Sequence, residues 1–233
     1  MGRYYESTPW VIPEAPLELI SFLKSFGKMV SFNKGEVISG PLVNASSCNV
    51  DQLIFLESGM LSQCYNTHDI NKPKSISLVL PNRILNYLSF MGICNNKENI
   101  IALRKSIVYK IPIELAHKLI KNEQDKMEMF NQYFMACIAS DYDGFTCMFT
   151  CNTEKRLAFL FNSLAMSFNC DIKGEWSNIP LKLSYSELSA VMYTTQKTIE
   201  RIIPEWKLKG YIQVYKYGFS INNNALNAIT EVY

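Results

Sequence analysis

From about residue 29 to 112 short apolar runs alternate with breaks at Gly, Asn, Asp and Pro, as in MVSFNKGEVIS, DQLIFLESGMLSQCY, SISLVL and NIIALRKSIVYKI. Many short β-favouring runs at such intervals predict a sandwich or barrel. Gly35 in NKGE and Gly59 in ESGM stand where strand-to-strand turns need φ > 0. Ahead of the strands, PLELISFLKSF (16–26) has helical spacing. After them the period changes: IELAHKLI (113–120) predicts a short helix, and NEQDKMEMFNQYFMACIASDYDGFTCMFT, about 122 to 150, a long one. Along it Phe130, Phe134, Ile138, Tyr142, Phe145 and Phe149 recur at steps of four, four, four, three and four, predicting one apolar stripe. Such a stripe packs either against its own domain or against a second copy of the helix. The second reading makes Phe130, Phe134, Ile138, Tyr142 and Phe145 dimer-interface candidates. Gly144 weakens a helix by about 1 kcal/mol relative to Ala and marks a candidate bend near its end.

A new helix opens at CNTEKRLAFLFNSLAM, with Asn152 or Thr153 as N-cap and Glu154 favourable in the first turn. The polar FNCDIKGEWSN reads as a loop, and IPLKL (179–183) as a short strand. Ser184 and Glu187 form a candidate capping box for SYSELSAVM, whose apolar side is Leu188, Val191 and Met192. A break at Tyr193–Thr195 leads into a second helix from Gln196, capped by Thr195. Ile199, Ile202, Ile203 and Trp206 make its buried face, leaving Gln196, Lys197, Glu200 and Arg201 outside. Two short helices, a tight turn and a polar start to the second are the anatomy of a helix-turn-helix. Beyond Gly210, YIQVYKYGFSIN predicts a hairpin around Lys216-Tyr217-Gly218, a wing that brings Lys216 and Tyr217 to a phosphate backbone, as Thr194 and Thr195 do from the turn. The chain therefore divides into a strand-rich part (1–121), a long helix and hinge (122–151) and a helix-turn-helix part (152–233).

Composition narrows the function little. Of 233 residues 48% are hydrophobic and 19% charged, ordinary for a globular protein, and the net charge is only +2. Residues 1–151 carry fourteen basic and fourteen acidic side chains and 152–233 carry nine and seven, so the small excess lies in the C-terminal third. That permits a local nucleic-acid-binding patch. Seven cysteines without a CxxC pair, and no apolar run of signal-peptide or membrane-span length, predict reduced thiols in a cytoplasmic protein with no membrane partner. His68 and His117 stand far apart, so no metal site is expected. A β-roll or cupin-like enzyme with a C-terminal accessory domain would need a metal triad or a paired acid and base, and the sequence offers neither.

The order of elements resembles the CRP/FNR superfamily of bacterial transcription regulators over nearly the whole chain. FNKGEVI (32–38) and LIFLESGMLSQCY (53–65) are similar to its opening strands, KRLAFLFNSLA to the start of its DNA-binding domain, and LSYSELSAVMYTTQKTIERIIPEWKLKGYI to its helix-turn-helix. The resemblance implies an α+β protein with an N-terminal double-stranded β-helix (a cupin-like β-roll) as sensor, a long dimerisation helix and a C-terminal winged helix-turn-helix. It implies a homodimer on a pseudo-palindromic site in double-stranded DNA, with RNA polymerase a further partner of such regulators. The family's R-E-x-x-x-R base-reading positions fall on Gln196, Lys197 and Arg201. Only Arg201 keeps its type, which implies a different operator from that of cAMP-responsive members. Tyr193 replaces a small residue of the turn. Pro204 removes a helical bond to the carbonyl of Glu200, at a cost of about 3 kcal/mol unless the helix bends or ends nearby. Pro204 and the near-neutral charge keep open a winged helix that binds protein rather than DNA.

Departures in the sensor are larger. Asn86-Tyr87 stand where a nucleotide-binding Gly-Glu would be, and Asn99-Ile100 where Arg-Ser would be, while Arg104 falls five residues late within an expected strand. Binding of cAMP is therefore not expected. Neither is an iron–sulfur cluster or haem, since their ligand sets are missing, and the sequence identifies no cofactor. The remaining sensing candidates are Cys147 and Cys151, four apart, as a redox pair, or an apolar ligand lined by Tyr65, Tyr87 and Phe90. Control without any ligand is the third option.

Overall fold

The computed structural model describes residues 8–41, 52–65, 74–93 and 98–231, without the side chains of residues 65, 74 and 231. Cys48, His68, Cys94 and the Tyr65 ring thus lie outside the described residues. The described residues form two compact units, one within 12–139 and one of 8–11 with 140–231. No helix among the described residues is long and apolar enough to cross a membrane.

The first unit opens with α1 (Leu17–Phe26), followed by β1 (Lys28–Phe32), β2 (Val37–Ser39), β3 (Gln52–Ser58), β4 (Leu61–Tyr65), β5 (Lys74–Val79) and β6 (Arg83–Leu85). A single turn of helix, α2 (Tyr87–Phe90), precedes β7 (Glu98–Ala102) and β8 (Ser106–Pro112), and α3 (Ile113–Ile120) leads into α4 (Gln124–Thr150). The strands build two antiparallel sheets in the orders β1-β8-β3-β6 and β2-β7-β4-β5. One core draws on both: Leu53, Phe55, Val108 and Ile111 from the first sheet, and Ile38, Leu61, Val79 and Ile100 from the second. This is the expected β-roll. The expected glycine turns are present, with φ of 87° at Gly35 and 99° at Gly59. Arg104, by contrast, sits in the turn between β7 and β8 rather than in a strand.

Helix α4 corrects the interface assignment. Phe130 and Phe134 have no exposure and pack into the first unit's core, against Phe22, Tyr87 and Phe90, and Ile138 packs on the same cluster. The physical reason is drift: four residues overshoot a 3.6-residue turn by about 40°, so three such steps carry the stripe about a third of the way round the helix. Phe145 is half-buried, and only Tyr142 of the five candidates is exposed. From 132 to 149 the exposed positions are Gln132, Met135, Ala139, Tyr142, Thr146 and Phe149, at intervals of three, four, three, four and three.

Buried Tyr133 ties α4 to the roll. Its hydroxyl donates to the Pro13 carbonyl (3.1 Å) and accepts the Ile84 N–H (3.0 Å), and burial holds its pKa well above the usual phenol value. Tyr133→Phe leaves both backbone groups without this partner and is expected to cost about 1–3 kcal/mol. Denaturant unfolding of the variant against the parent measures the loss.

In the second unit α4 is followed by α5 (Thr153–Ser167), β9 (Trp176–Ile179), α6 (Tyr185–Val191), α7 (Gln196–Leu208), β10 (Ile212–Val214), β11 (Phe219–Asn222) and α8 (Asn223–Glu231). Asn152 caps α5, accepting from the Lys155 N–H at 2.9 Å. The third strand of the small β10-β11-β9 sheet is WSNI, upstream of the expected IPLKL. Pro180 has no N–H for the ladder, so pairing ends at Ile179. Helix α4 continues through Gly144. The glycine admits Trp10: a Cβ there would lie 3.2 Å from the indole Cδ1 and 3.3 Å from the Trp10 backbone nitrogen.

Candidate nucleic-acid interface

The second unit's polar surface begins with a reciprocal cap. Ser184 N–H donates to Glu187 Oε2 (2.6 Å) and Glu187 N–H to Ser184 Oγ (3.2 Å), fixing the start of α6. Leu188, Val191 and Met192 are buried beneath it. The chain then reverses through Tyr193, whose φ of 49° is left-handed, and the Thr194 N–H donates to the Ser189 carbonyl (3.1 Å). Thr195 caps α7, its Oγ1 accepting from the Thr198 N–H at 3.2 Å.

Helix α7 has two distinct faces. Ile199, Ile202, Ile203 and Trp206 are buried, and the Trp206 indole N–H donates to Glu154 Oε1 of α5 at 2.7 Å. Gln196, Lys197, Glu200 and Arg201 are all exposed, so the candidate base readers share one surface over the first two turns. Thr195 is exposed beside them and Thr194 half-buried. Pro204 lies on the exposed side and α7 continues through it to Leu208. An exposed position lets water meet the Glu200 carbonyl that lost its helical donor, which lowers the cost of the proline.

Two glutamates act on this surface. Gln196 Nε2 donates to Glu200 Oε1 at 2.8 Å, and Arg201 lies 3.7 Å from Glu205, which also holds Lys209 at 2.6 Å. Each pair is an i,i+4 neighbour relation, a signal present in the sequence. The Lys209 hydrogen bond, then its charge, hold the Glu205 pKa below the usual carboxylate range. The Gln196 amide, with one hydrogen engaged by Glu200, keeps its second hydrogen and its oxygen for an outside partner.

The wing forms as an antiparallel pair with Ile212 opposite Ile221 and Val214 opposite Phe219. Its turn closes by the Tyr215 N–H donating to the Gly218 carbonyl (2.9 Å). Gly218 is required by closeness: a Cβ there would stand 2.1 Å from the Ile179 carbonyl oxygen. Lys216 and Tyr217 are exposed at the tip, the ammonium 4.9 Å from the centre of the Tyr217 ring.

Cys147 and Cys151 are half-buried one helical turn apart. Burial first, and then Cys151, push the Cys147 thiol up to about 12, so it carries no thiolate at neutral pH. In the first unit the His117 Nε2–H donates to the Phe90 carbonyl (3.0 Å), and the imidazole stacks on the Phe90 ring. Tyr87 and Phe90 are buried core residues. No group of three or more metal-ligating side chains occurs among the described residues.

No family model and no curated protein matches the sequence. Solved structures do match. A CooA mutant from Carboxydothermus hydrogenoformans is 13% identical, with a TM-score of 0.71 over 97% of this chain and 100% of that one. A transcriptional regulator of the CRP/FNR family from Thermus thermophilus is 16% identical, with a TM-score of 0.61 over 88% and 99%. FixK2 from Bradyrhizobium japonicum is 12% identical, with a TM-score of 0.68 over 89% and 98%. The chain has the fold of these regulators along nearly its whole length.

Proposed function

We propose that the protein is a sequence-specific DNA-binding transcription regulator of the CRP/FNR type, acting as a homodimer, with the β-roll as its sensing unit. The observation that carries the reading is the exposed face of α7. Gln196, Lys197 and Arg201 stand together on a helix whose opposite face is anchored by Trp206, flanked by a wing that ends in Lys216 and Tyr217. A helix so presented enters the major groove by its N-terminal turns. Arg201 offers a bidentate fork to guanine O6 and N7, and Gln196 pairs with adenine N6 and N7. The exposed contact of Arg201 with Glu205 is weak enough to yield to a base. Lys216 and Tyr217, with Thr194 and Thr195, serve the sugar-phosphate backbone and set register.

Dimerisation is assigned to α4 through Met135, Ala139, Tyr142, Thr146 and Phe149, which replace Phe130 and Phe134 as interface residues. Their 3-4 spacing is the seam of a two-stranded coiled coil. A two-fold pair of recognition helices then meets half-sites about 34 Å apart.

Selection of bound sites from random DNA, followed by salt-dependent titration, tests the reading. Arg201→Ala is expected to cost about 1–3 kcal/mol at one base position of each half-site. Lys216→Ala is expected to weaken all sequences alike and to flatten the salt slope by about one unit. Failure to enrich any sequence, with capture of a protein partner by the same face, would turn the assignment to a protein-interaction module.

A further inference from the structure

The β-roll contains a small cavity beside α2, lined by Ser39, Gln63, Asn86, Tyr87, Ser89 and Glu98 among others. Its volume is about 10 Å³, the room one water-sized group needs. Gln63 on β4 is 2% exposed, and its Nε2 donates to the Tyr87 hydroxyl at 3.2 Å. Its other end, Oε1, has no hydrogen-bond partner among the described residues. A buried amide oxygen without a donor is unfavourable, and a small cavity beside it is where the donor belongs.

The rest of the lining decides what that donor is. Asn86, held with a φ of 63°, gives its Nδ2 hydrogens to the Gln52 carbonyl (2.7 Å) and to Ser39 Oγ (3.3 Å). What it has left to offer is the acceptor Oδ1. Glu98 at the start of β7 adds a carboxylate, half-buried at the same place, and its charge reaches Cys64, whose thiol burial and Glu98 together push up to about 11. No Lys, Arg or His lines the cavity among the described residues. Amide oxygens and a carboxylate in a water-sized space repel an anion and suit a compact cation with several N–H donors. A primary ammonium has three such donors on one atom.

We propose that this cavity binds the terminal ammonium of a primary-amine ligand, donating to Gln63 Oε1 and to the Glu98 carboxylate, with the ligand's remainder leaving past half-buried Leu88 and Ser89. This deepens the reading of the roll as the sensing unit and rests on it.

Calorimetric titration of the full-length protein with methylammonium, ethylammonium, tetramethylammonium and cAMP, each at one ionic strength, tests it. Saturable binding of the two primary ammonium ions is expected, without binding of tetramethylammonium, which has no N–H, or of cAMP. Gln63→Leu and Glu98→Gln are each expected to weaken the amine at least about tenfold, the share of one charge-assisted hydrogen bond. Their circular dichroism and operator binding report whether they fold. Equal effects of methylammonium and tetramethylammonium, amine binding indifferent to both variants, or a cavity that takes only water would each overturn the proposal. Operator binding is measured on the same samples. DNA binding without amine binding sinks the ligand assignment alone, whereas amine binding without DNA binding sinks the regulator reading.

Discussion

Glutamate at both Met135 and Tyr142 is expected to leave the protein monomeric in sedimentation velocity and to weaken operator binding about 10²- to 10⁴-fold, the range lost when two linked sites bind separately. The argument rests on exposure along α4. Met135 is 56% exposed, Tyr142 70% and Phe149 88%, and they recur every seven residues with Ala139 and Thr146 between them. Large apolar side chains at one heptad position form a stripe that water does not favour, and burying each contributes about 1.5–3 kcal/mol. A two-fold interface uses the same patch on both copies, so each glutamate appears twice and faces its own kind near the axis. Neither position is buried within the chain, so the charges leave the monomer fold intact. Leucine at both positions keeps the stripe apolar and is the control that retains the dimer. A double-glutamate variant that stays dimeric would move the interface to another surface.

Trp206→Ala is expected to destabilise the second unit by about 3–5 kcal/mol, the usual loss for a large aromatic core residue. The indole has no exposure, lies 6.3 Å from Phe161 centre to centre, and is bonded through its N–H to Glu154. Phe161 in turn meets Phe219 of the wing at 5.0 Å, so one aromatic chain joins α5, α7 and β11. Removing a member of that chain loosens α7 and the wing together. Urea unfolding followed by a probe in the second unit measures the loss, and DNA binding should fall at all sequences alike, unlike the single-position effect of Arg201→Ala. Trp206→Phe keeps most of the packing, so its smaller deficit isolates the hydrogen bond to half-exposed Glu154.

The helix-turn-helix was legible because its signals are local. The Ser184–Glu187 box, the Thr195 cap, the apolar set Ile199, Ile202, Ile203 and Trp206, and the wing turn each involve residues within a few positions of one another. The i,i+4 contacts of Gln196 with Glu200 and of Arg201 with Glu205 are legible on the same grounds. The β-roll was legible as a class from its short runs and turn glycines, but not in its pairings. Strand β3 takes its partners from β6 and β8, and nothing within Gln52–Ser58 names them.

The sequence by itself determined the strand-rich class of the first unit, the helices α1 and α3 to α7, the caps at Asn152, Ser184 and Thr195, and that a polar helix start follows a tight turn, because these depend on periodicity and neighbours in the chain. Only the tertiary structure decided which aromatics of α4 are core and which remain outside. Helical spacing defines angles around an axis, whereas burial depends on what arrives from Phe22 and Phe90 far away in sequence. It likewise decided that WSNI, not IPLKL, completes the small sheet, that Gly144 faces Trp10, and that Gln63, Asn86 and Glu98 border one polar cavity. Each of these is a contact between distant residues, which short-range pattern does not encode.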